Sequence, residues 1–548
     1  MKRFFKFIAW IFIILFLIII VLGVYLKIVT TIKPPVVGTA EIDSMIVVNG
    51  TKFIGDNWIR QNEYGLWEMY VEGEAYQRGV VMGMLSSELI RYQEEAFVAQ
   101  IKKIVPSKFY FNFLRILIGF FNRNIDKHIP EEYLKEIYGI SQSASSEFNK
   151  FGIPYMRMLN YHAAHDIGHA LVNYALVGCT SFATWNSKTD DGRLVAARNF
   201  DFYFGDEFSK NKIVKFINPE QGYPFGFVTW GGMIGVVSGM NTEGLCVTIS
   251  TAKSDIPTSS STPVSIVARD ILQYASNIEE AYSIAKKYEI FVSESFMITS
   301  AKDNMTAIIE KSPKKIDIFY PDTNFILCTN HFQSESFADD ETNLLSIKEN
   351  ATYYRYLRLQ ELLEKKGALS IYDIAEVLRD RKGLEGKDIG LGNEKAINQL
   401  LAHHAIIFKP EEKKFFVSAH PNVMGVFVAY DLNNVFAGKS EKISFEKIQA
   451  DTFLLTEKYF QYKEYKRLYE KINDAMNNDV IIPADTLLFF IAANPNYFET
   501  YKLAGDYFKL QGNCSKAINY YSKGLTKEIN NFANRNAIEQ KIKECKNQ

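Results

Sequence analysis

Cys179 is the side chain best placed by sequence to do covalent chemistry. It stands in "VGCTSFATWNSKTDDGRLVAARNFDF", Val177 to Phe202, between a glycine and a threonine. Arg198, Asn199 and Asp201 follow in close order. A thiol becomes a nucleophile when nearby positive charge or a base favours its thiolate. On a strand the side chains alternate, so Arg198 parts from Asn199, while Asn199 and Asp201 share a face unless a bulge intervenes. That pattern could place one cation and one carboxylate near a thiol on the neighbouring strand, without proving it. The competing reading is a small apolar core residue, the usual fate of a free cysteine.

Three other groups carry chemical potential. "HAAHDIGH" spaces His162, His165 and His169 near one helix face, as a metal site would. No matching carboxylate motif stands elsewhere, so they read as residues packing a helix near the site, and neither a metal nor another cofactor is expected. His331, after Asn330 in "CTNHF", invites a Cys–His dyad, but no papain-like signature surrounds Cys179. "GGMIGVVSG" lacks the following helix that a dinucleotide site needs. Cys246 and Cys328 lie in apolar strands and read as core. The five cysteines are scattered and form neither a disulfide framework nor a zinc pair.

The elements that must position Cys179 are short. "TSFATWNS" and "RLVAARNFDF" read as strands joined at "DDG", a hairpin turn. "YPFGFVTW" and "IGVVSGMNTEGLCVTIS" continue the strand texture. Two helices follow in "PVSIVARDILQYAS" and "NIEEAYSIAKKY", then strands in "SFMITSAKDNMTAIIEKSPKKIDIFY" and "NFILCTNHF". A helix fits "NATYYRYLRLQELLEKK", a hairpin "AIIFKPEEKKFFVSA", and a last strand "VMGVFVAYDL". Strand pairs separated by helix pairs predict a layered α+β domain, not a doubly wound parallel one. Upstream, from about 42 to 177, the pattern is mixed and then mainly helical, with "LWEMYVEGEAYQRGVVMGMLSSELI" reading as strand, glycine turn and helix.

From about Asp451 the chain turns helical and tyrosine-rich. "YKLAGDYFKLQGNCSKAINYYSKGL" follows a tetratricopeptide pattern, with Tyr501, Gly505, Phe508, Gly512, Ala517, Tyr521 and Gly524 at its large and small positions. One clear repeat is too few for a peptide groove, since such repeats need stacked neighbours. The tail is therefore read as helices packed on the catalytic domain, with protein contact as its other use.

At the other end, "MKRFFKF" is basic, and "FIAWIFIILFLIIIVLGVYL", Phe7 to Leu26, carries no charge and is long enough to cross a bilayer. It lacks the short core and small-x-small site of a cleaved signal. It reads as an uncleaved single-pass anchor with its basic end in the cytoplasm and the rest of the chain outside, in the periplasm or at the extracellular face. A long signal peptide is the alternative. Composition agrees with a large folded protein. The chain has 548 residues, 47% of them hydrophobic, and 62 Lys+Arg balance 63 Asp+Glu. That balance gives no footing for nucleic acid.

"GCTSFATW…DGRLVAARNFDF" resembles the autoprocessing motif of the acyl-coenzyme A:6-aminopenicillanate acyltransferase family. These are N-terminal-nucleophile hydrolases, similar to choloylglycine hydrolases and acid ceramidases. "VEGEAYQRGVVMGMLSSELI", "WGGMIGVVSGMNTEGLCVTIS", "CTNHF" and "ATYYRYLRLQELL" resemble further family segments in the same order, over about 66 to 432. The resemblance implies a four-layer αββα fold. It implies self-cleavage between Gly178 and Cys179, through an N-to-S acyl shift, which frees the Cys179 amine to serve as base for its own thiol. By the same resemblance Cys179 is the nucleophile, Asp201 orients the new amine, Arg198 favours the thiolate, Asn330 donates to the oxyanion, and Arg355 is the late arginine, with Arg358 one turn away as its alternative. Many relatives carry an asparagine where this chain has Ser250, so Ser250 or a backbone N–H would be the second oxyanion donor.

These readings divide the chain into an anchor (1–30), a linker (31–41), a propeptide segment (42–178), a catalytic domain (179–445) and a tetratricopeptide-like tail (446–548). The expected activity is hydrolysis or acyl transfer at a nonpeptide amide: an N-acyl amino acid, an acyl amine or a β-lactam side chain, with an apolar acyl group. A mobile lid is expected in "TAKSDIPTSSSTP", Thr251 to Pro263. The alternative is a membrane-tethered interaction protein with an inactive, uncleaved domain.

Overall fold

A computed structural model describes residues 2–105, 107–171, 178–253, 257, 259–438, 446–478 and 480–547. Residues 254–256 and 258 of the expected lid, and the side chain of His169, lie outside the described residues.

Alternation along the strands sorts side chains into two apolar layers, and that sorting builds the molecule. In Ile213–Pro219, Val214 and Phe216 face a second sheet, while Ile213 and Ile217 face helices. In His404–Lys409, Ile406 and Phe408 face the first sheet, while Ala405 and Ile407 face helices on the far side. Two sheets are thus sandwiched between helices, the four-layer arrangement that the resemblance implied.

The first sheet has eleven strands, in spatial order Ile46–Val48, Thr51–Ile54, Asn57–Gln61, Trp67–Gly73, Ile213–Pro219, Phe225–Thr229, Ser238–Asn241, Leu245–Thr251, Glu294–Ser300, Met305–Lys311 and Ile316–Phe319. All its pairs are antiparallel except Trp67–Gly73 with Ile213–Pro219. The second has seven antiparallel strands: Phe325–Cys328, Thr180–Thr184, Val195–Phe200, His404–Lys409, Lys414–Ser418, Phe427–Asp431 and Lys447–Ile448. The mixed stretch before Gly178 supplies four strands to the first sheet, the one read in "LWEMYVEG" and three more before it. The second sheet reaches Ile448, just past the boundary expected at 445.

The predicted helices and strands recur with small shifts: Val264–Tyr274, Ile278–Lys287 and Thr352–Lys365 are helices. "DDG" does not close a tight hairpin. Trp185 to Leu194 intervene between the two strands, with a 3-10 turn at Asn186–Lys188 and Gly192 at φ +73°.

Helices Glu457–Asn477, Ala484–Ala493, Phe498–Leu510, Cys514–Leu525 and Phe532–Lys546 form the C-terminal region. Gly505 lies directly under the Tyr521 ring and Gly524 faces Tyr501, so small residues let the paired helices approach. The region packs on the 388–395 segment. Leu391 and Asn494 exchange two hydrogen bonds of 3.0 and 2.8 Å, and Lys395 pairs with Glu528 at 2.7 Å. At the opposite end, Lys2–Thr30 is one helix, and its Arg3–Thr30 stretch is long and apolar enough to cross a membrane.

Candidate active site

Register brings Arg198 to the thiol. Thr180 pairs with Asn199 and Ser181 with Arg198 in neighbouring antiparallel strands. Alternation then sends Asn199 outward, where its amide donates to the Leu378 and Ile397 carbonyls at 2.8 and 3.1 Å. Arg198 points between the sheets. Its Nη2 lies 3.1 Å from Cys179 Sγ. The same guanidinium donates to Ser238 Oγ at 2.9 Å and to the carbonyls of Val237 and Ile249, and it stacks 4.4 Å from the Phe200 ring centroid. Backbone carbonyls, a hydroxyl and a π face hold this cation, and no carboxylate forms an ion pair with it among the described residues. Its field is left to act on the sulfur.

Asp201 departs from the expected alternation. The strand ends at Phe200, and the Phe202 N–H bonds back to the Phe200 carbonyl at 3.0 Å. Beyond that turn, Asp201 feels both Arg355 and Arg198. It is fully buried, and neither carboxylate oxygen has a hydrogen-bond partner among the described residues. Burial pushes its pKa up to about 7, against the opposing pull of Arg355 and Arg198.

Arg355 closes the other side. Its Nη1 donates to the Cys179 carbonyl at 2.6 Å and to Thr180 Oγ1 at 3.0 Å, and its Nη2 to Asn330 Oδ1 at 2.8 Å. Asn330 Nδ2 donates to the Thr251 carbonyl at 2.8 Å. Arg358 instead makes a two-pronged pair with Asp380, both contacts 2.9 Å, and a third contact with Glu361. One helical turn therefore separates an arginine at the Cys179 carbonyl from one in an ion pair away from it.

Burial pushes Cys179 above the ordinary thiol range, and Arg198 draws it only part of the way back. Ser250 is buried on the strand face that also carries Cys246, and it is not part of the cavity wall. Its neighbour Thr251 is, and offers the carbonyl that Asn330 uses.

The histidines take structural partners. His162 accepts from the Ile234 N–H at Nε2, 3.0 Å, which leaves Nδ1 to donate to the Met158 carbonyl at 2.8 Å. With both nitrogens committed and its pKa lowered to about 4 by burial, it stays neutral. His165 Nδ1 lies 2.9 Å from Asp166 Oδ1. His331 Nδ1 contacts the hydroxyls of Thr329 and Thr352 at 3.0 and 2.9 Å.

A cavity of about 890 Å³ opens on this cluster. Gly178, Asn330, Arg355 and Gln399 form a polar end. Phe97, Ile101, Leu114 and Ile118 make an apolar wall, joined by Gly23 and Leu26 of the leading helix. Sequence reasoning missed Gln399, whose Nε2 donates to the Gly178 carbonyl at 2.8 Å. It also missed Ser238, which anchors Arg198. Neither sits in a pattern that distinguishes it from an ordinary polar residue.

Residues 186–417 match the acyl-coenzyme A:6-aminopenicillanic acid acyl-transferase family. Protein dcd1B of Dictyostelium discoideum is 24% identical over 288 residues, covering 48% of this chain and 53% of that protein. An uncharacterized protein of Archaeoglobus fulgidus is 23% identical over 276 residues, covering 48% and 46%. The chain spans about half the length of the curated relatives it matches. Among solved structures, the Caenorhabditis elegans N-acylethanolamine-hydrolyzing acid amidase ortholog aligns over 42% of this chain and 93% of that chain, at 17% identity and a TM-score of 0.31. A conjugated bile acid hydrolase variant from Clostridium perfringens aligns over 47% and 93%, at 16% identity and a TM-score of 0.33. The resemblance read in the sequence holds: the segment 186–417 is matched by the acyl-coenzyme A:6-aminopenicillanic acid acyl-transferase family.

Proposed function

We propose that this protein is a self-cleaving cysteine amidohydrolase or acyltransferase, membrane-anchored, that opens a nonpeptide amide bond through a thioester on Cys179. The observation that carries this reading is the buried Arg198 guanidinium, 3.1 Å from Cys179 Sγ and free of any carboxylate ion pair among the described residues. Core packing alone does not call for a cation against a thiol, whereas nucleophilic chemistry does.

The orphaned Asp201 carboxylate supports the same reading. Cleavage of the Gly178–Cys179 bond would place an ammonium or amine at Cys179, the kind of partner that a buried carboxylate lacks in the uncleaved chain. Arg355 and Asn330 would then face the substrate carbonyl from the cavity side. Hydrolysis needs only water as acceptor, so it is the simpler outcome.

The apolar wall suits an acyl chain, and its continuation into the leading helix suits a substrate that partitions into lipid. With that helix as an uncleaved anchor, basic end inside, the site lies on the outer face of the membrane. The tetratricopeptide-like reading of the tail belongs to this proposal, with protein contact as its second use.

The experiment is a denaturing gel of freshly purified full-length protein, with mass spectrometry of the smaller fragments. The expected result is a split chain with one fragment beginning at Cys179. A single full-length band, identical in the Cys179→Ala protein, would defeat this reading and favour an inactive tethered domain. Turnover of N-acyl amides of graded chain length by the cleaved protein then fixes the acyl group.

A further inference from the structure

We propose that Gln399 is the donor that holds the Gly178 carbonyl for attack by Cys179 in self-cleavage, and that the C-terminal helices fix the loop that carries it. This rests on the self-cleaving reading above and adds a residue to it.

The geometry is specific. Gln399 is 2% exposed, and its Nε2 donates to the Gly178 oxygen at 2.8 Å. That oxygen belongs to the bond that must break. A Cβ on Gly178 would lie 2.5 Å from Nε2 and 2.9 Å from Oε1 of Gln399. Any larger residue at 178 therefore displaces the amide from the carbonyl, so glycine and glutamine act as a pair. Arg355 and Asn330 engage the Cys179 carbonyl and the Thr251 carbonyl in this state, not the Gly178 oxygen.

Gln399 sits on a braced loop. Asn398 N–H donates to the Asp380 carbonyl at 2.8 Å. Leu400 holds a left-handed backbone, φ +60°, and its N–H donates to Asn398 Oδ1 at 3.0 Å. Further up the loop, Asn393 Nδ2 donates to the Glu528 carbonyl at 2.9 Å, and Asn530 Nδ2 to Glu394 Oε2 at 2.6 Å. Asn494 exchanges two hydrogen bonds with Leu391. The helical tail thus grips the loop a few residues before the amide that touches the scissile carbonyl.

The step balances as follows. Cys179 Sγ attacks the Gly178 carbonyl carbon, forming a C–S bond, and the carbonyl oxygen takes up negative charge. The Gln399 N–H donates to that oxygen and stabilises it. The Gly178–Cys179 C–N bond then breaks, and the leaving nitrogen takes the proton that the thiol gave up. Water cleaves the thioester, which leaves a Gly178 carboxylate and regenerates the thiol.

The test follows cleavage of the full-length chain over time on denaturing gels, in wild type, Gln399→Glu and Gln399→Met. Gln399→Met keeps the side-chain size and removes the donor, and Gln399→Glu removes it once its carboxyl is ionised. Cleavage is expected to slow by about 10²–10³-fold, the range for losing one oxyanion donor, with thermal unfolding close to wild type. Hydroxylamine intercepts thioesters, so it would accelerate a variant arrested after the acyl shift. It is expected not to restore Gln399→Met, whose block precedes the thioester. Cleavage at the wild-type rate in both variants, or full rescue by hydroxylamine, overturns the assignment. The double variant Asn494→Ala with Asn530→Ala is expected to slow cleavage by a smaller factor, and an unchanged rate removes the tail from the proposal. If wild type itself never cleaves, the underlying reading fails and takes this assignment with it. Cleavage in wild type and Gln399→Met alike fails the Gln399 assignment alone.

Discussion

The space between the two sheets has two regions that treat the same residue type differently. In its centre Cys246 lies among Met240, Met297, Ile308 and Phe415, and burial alone pushes its thiol far above the ordinary range. At its end Cys179 is as deeply buried, yet a guanidinium sits on its sulfur and a second one on its carbonyl. Cys328 lies between these extremes, pushed up to about 12 by burial. Burial is common to all three, so burial does not set Cys179 apart. The mark is a cation held by neutral groups, at the place where the apolar layer gives way to the cavity.

The comparison breaks first on the cysteines. Cys179→Ala is expected to abolish cleavage and amide turnover outright, as seen by gel and by activity assay. Cys246→Ala is expected to leave cleavage intact and to lower stability by about 1 kcal/mol, read from urea midpoints. Loss of cleavage in Cys246→Ala alone would erase the distinction.

Arg198→Met removes the cation while keeping a long apolar side chain. We expect cleavage to slow by at least about 10²-fold in protein that still folds by circular dichroism. Retained cleavage would show that the field at the sulfur is not what separates the two regions.

A finer contrast lies on one helix. Arg355→Lys keeps charge but loses the planar fork that reaches Cys179, Thr180 and Asn330, and it should reduce turnover by about tenfold or more. Arg358→Lys should leave turnover within about twofold, with a stability loss of about 1 kcal/mol from its two-pronged pair with Asp380.

The last contrast is a pH dependence, and it leaves turnover aside. In the uncleaved chain Asp201 is raised from 3.8 to about 7, so its contribution to stability is full below 3.8 and is lost as pH rises through 7. In a Cys179→Ala background, Asp201→Asn should therefore stabilise the protein at pH 8 by a few kcal/mol at most, and far less at pH 5. Thermal unfolding at the two pH values reads it. An equal shift at both would mean that the carboxylate has a partner in the uncleaved state.

Much of the layering was legible because alternation is a local property. Arg198 and Asn199 part to opposite faces, as two adjacent strand residues must. Asp201 was misread because alternation stops where the strand does, and the backbone turn at Phe200–Phe202 leaves no trace in residue types. The three strands before Trp67–Gly73 were hidden in a stretch that reads as mixed. The pairing of Trp67–Gly73 with Ile213–Pro219, which joins them to the rest of the sheet, is a long-range event that no local window contains. Gln399 was invisible for the same reason. It lies 221 residues beyond Gly178, in "INQLLAHH", and only the folded loop reveals its contact with the Gly178 carbonyl.

The parallel ladder of Trp67–Gly73 with Ile213–Pro219 carries one last consequence. Cleavage at Gly178 would leave the leading helix on one polypeptide and the nucleophile on the other. If that helix spans a membrane, the piece that carries Cys179 would be held to the anchored piece by seven paired residues and by packing such as the buried Arg269–Glu136 contact at 3.2 Å. High salt or alkaline carbonate would leave it in the membrane pellet, whereas denaturant strong enough to part the sheet would release it into the wash.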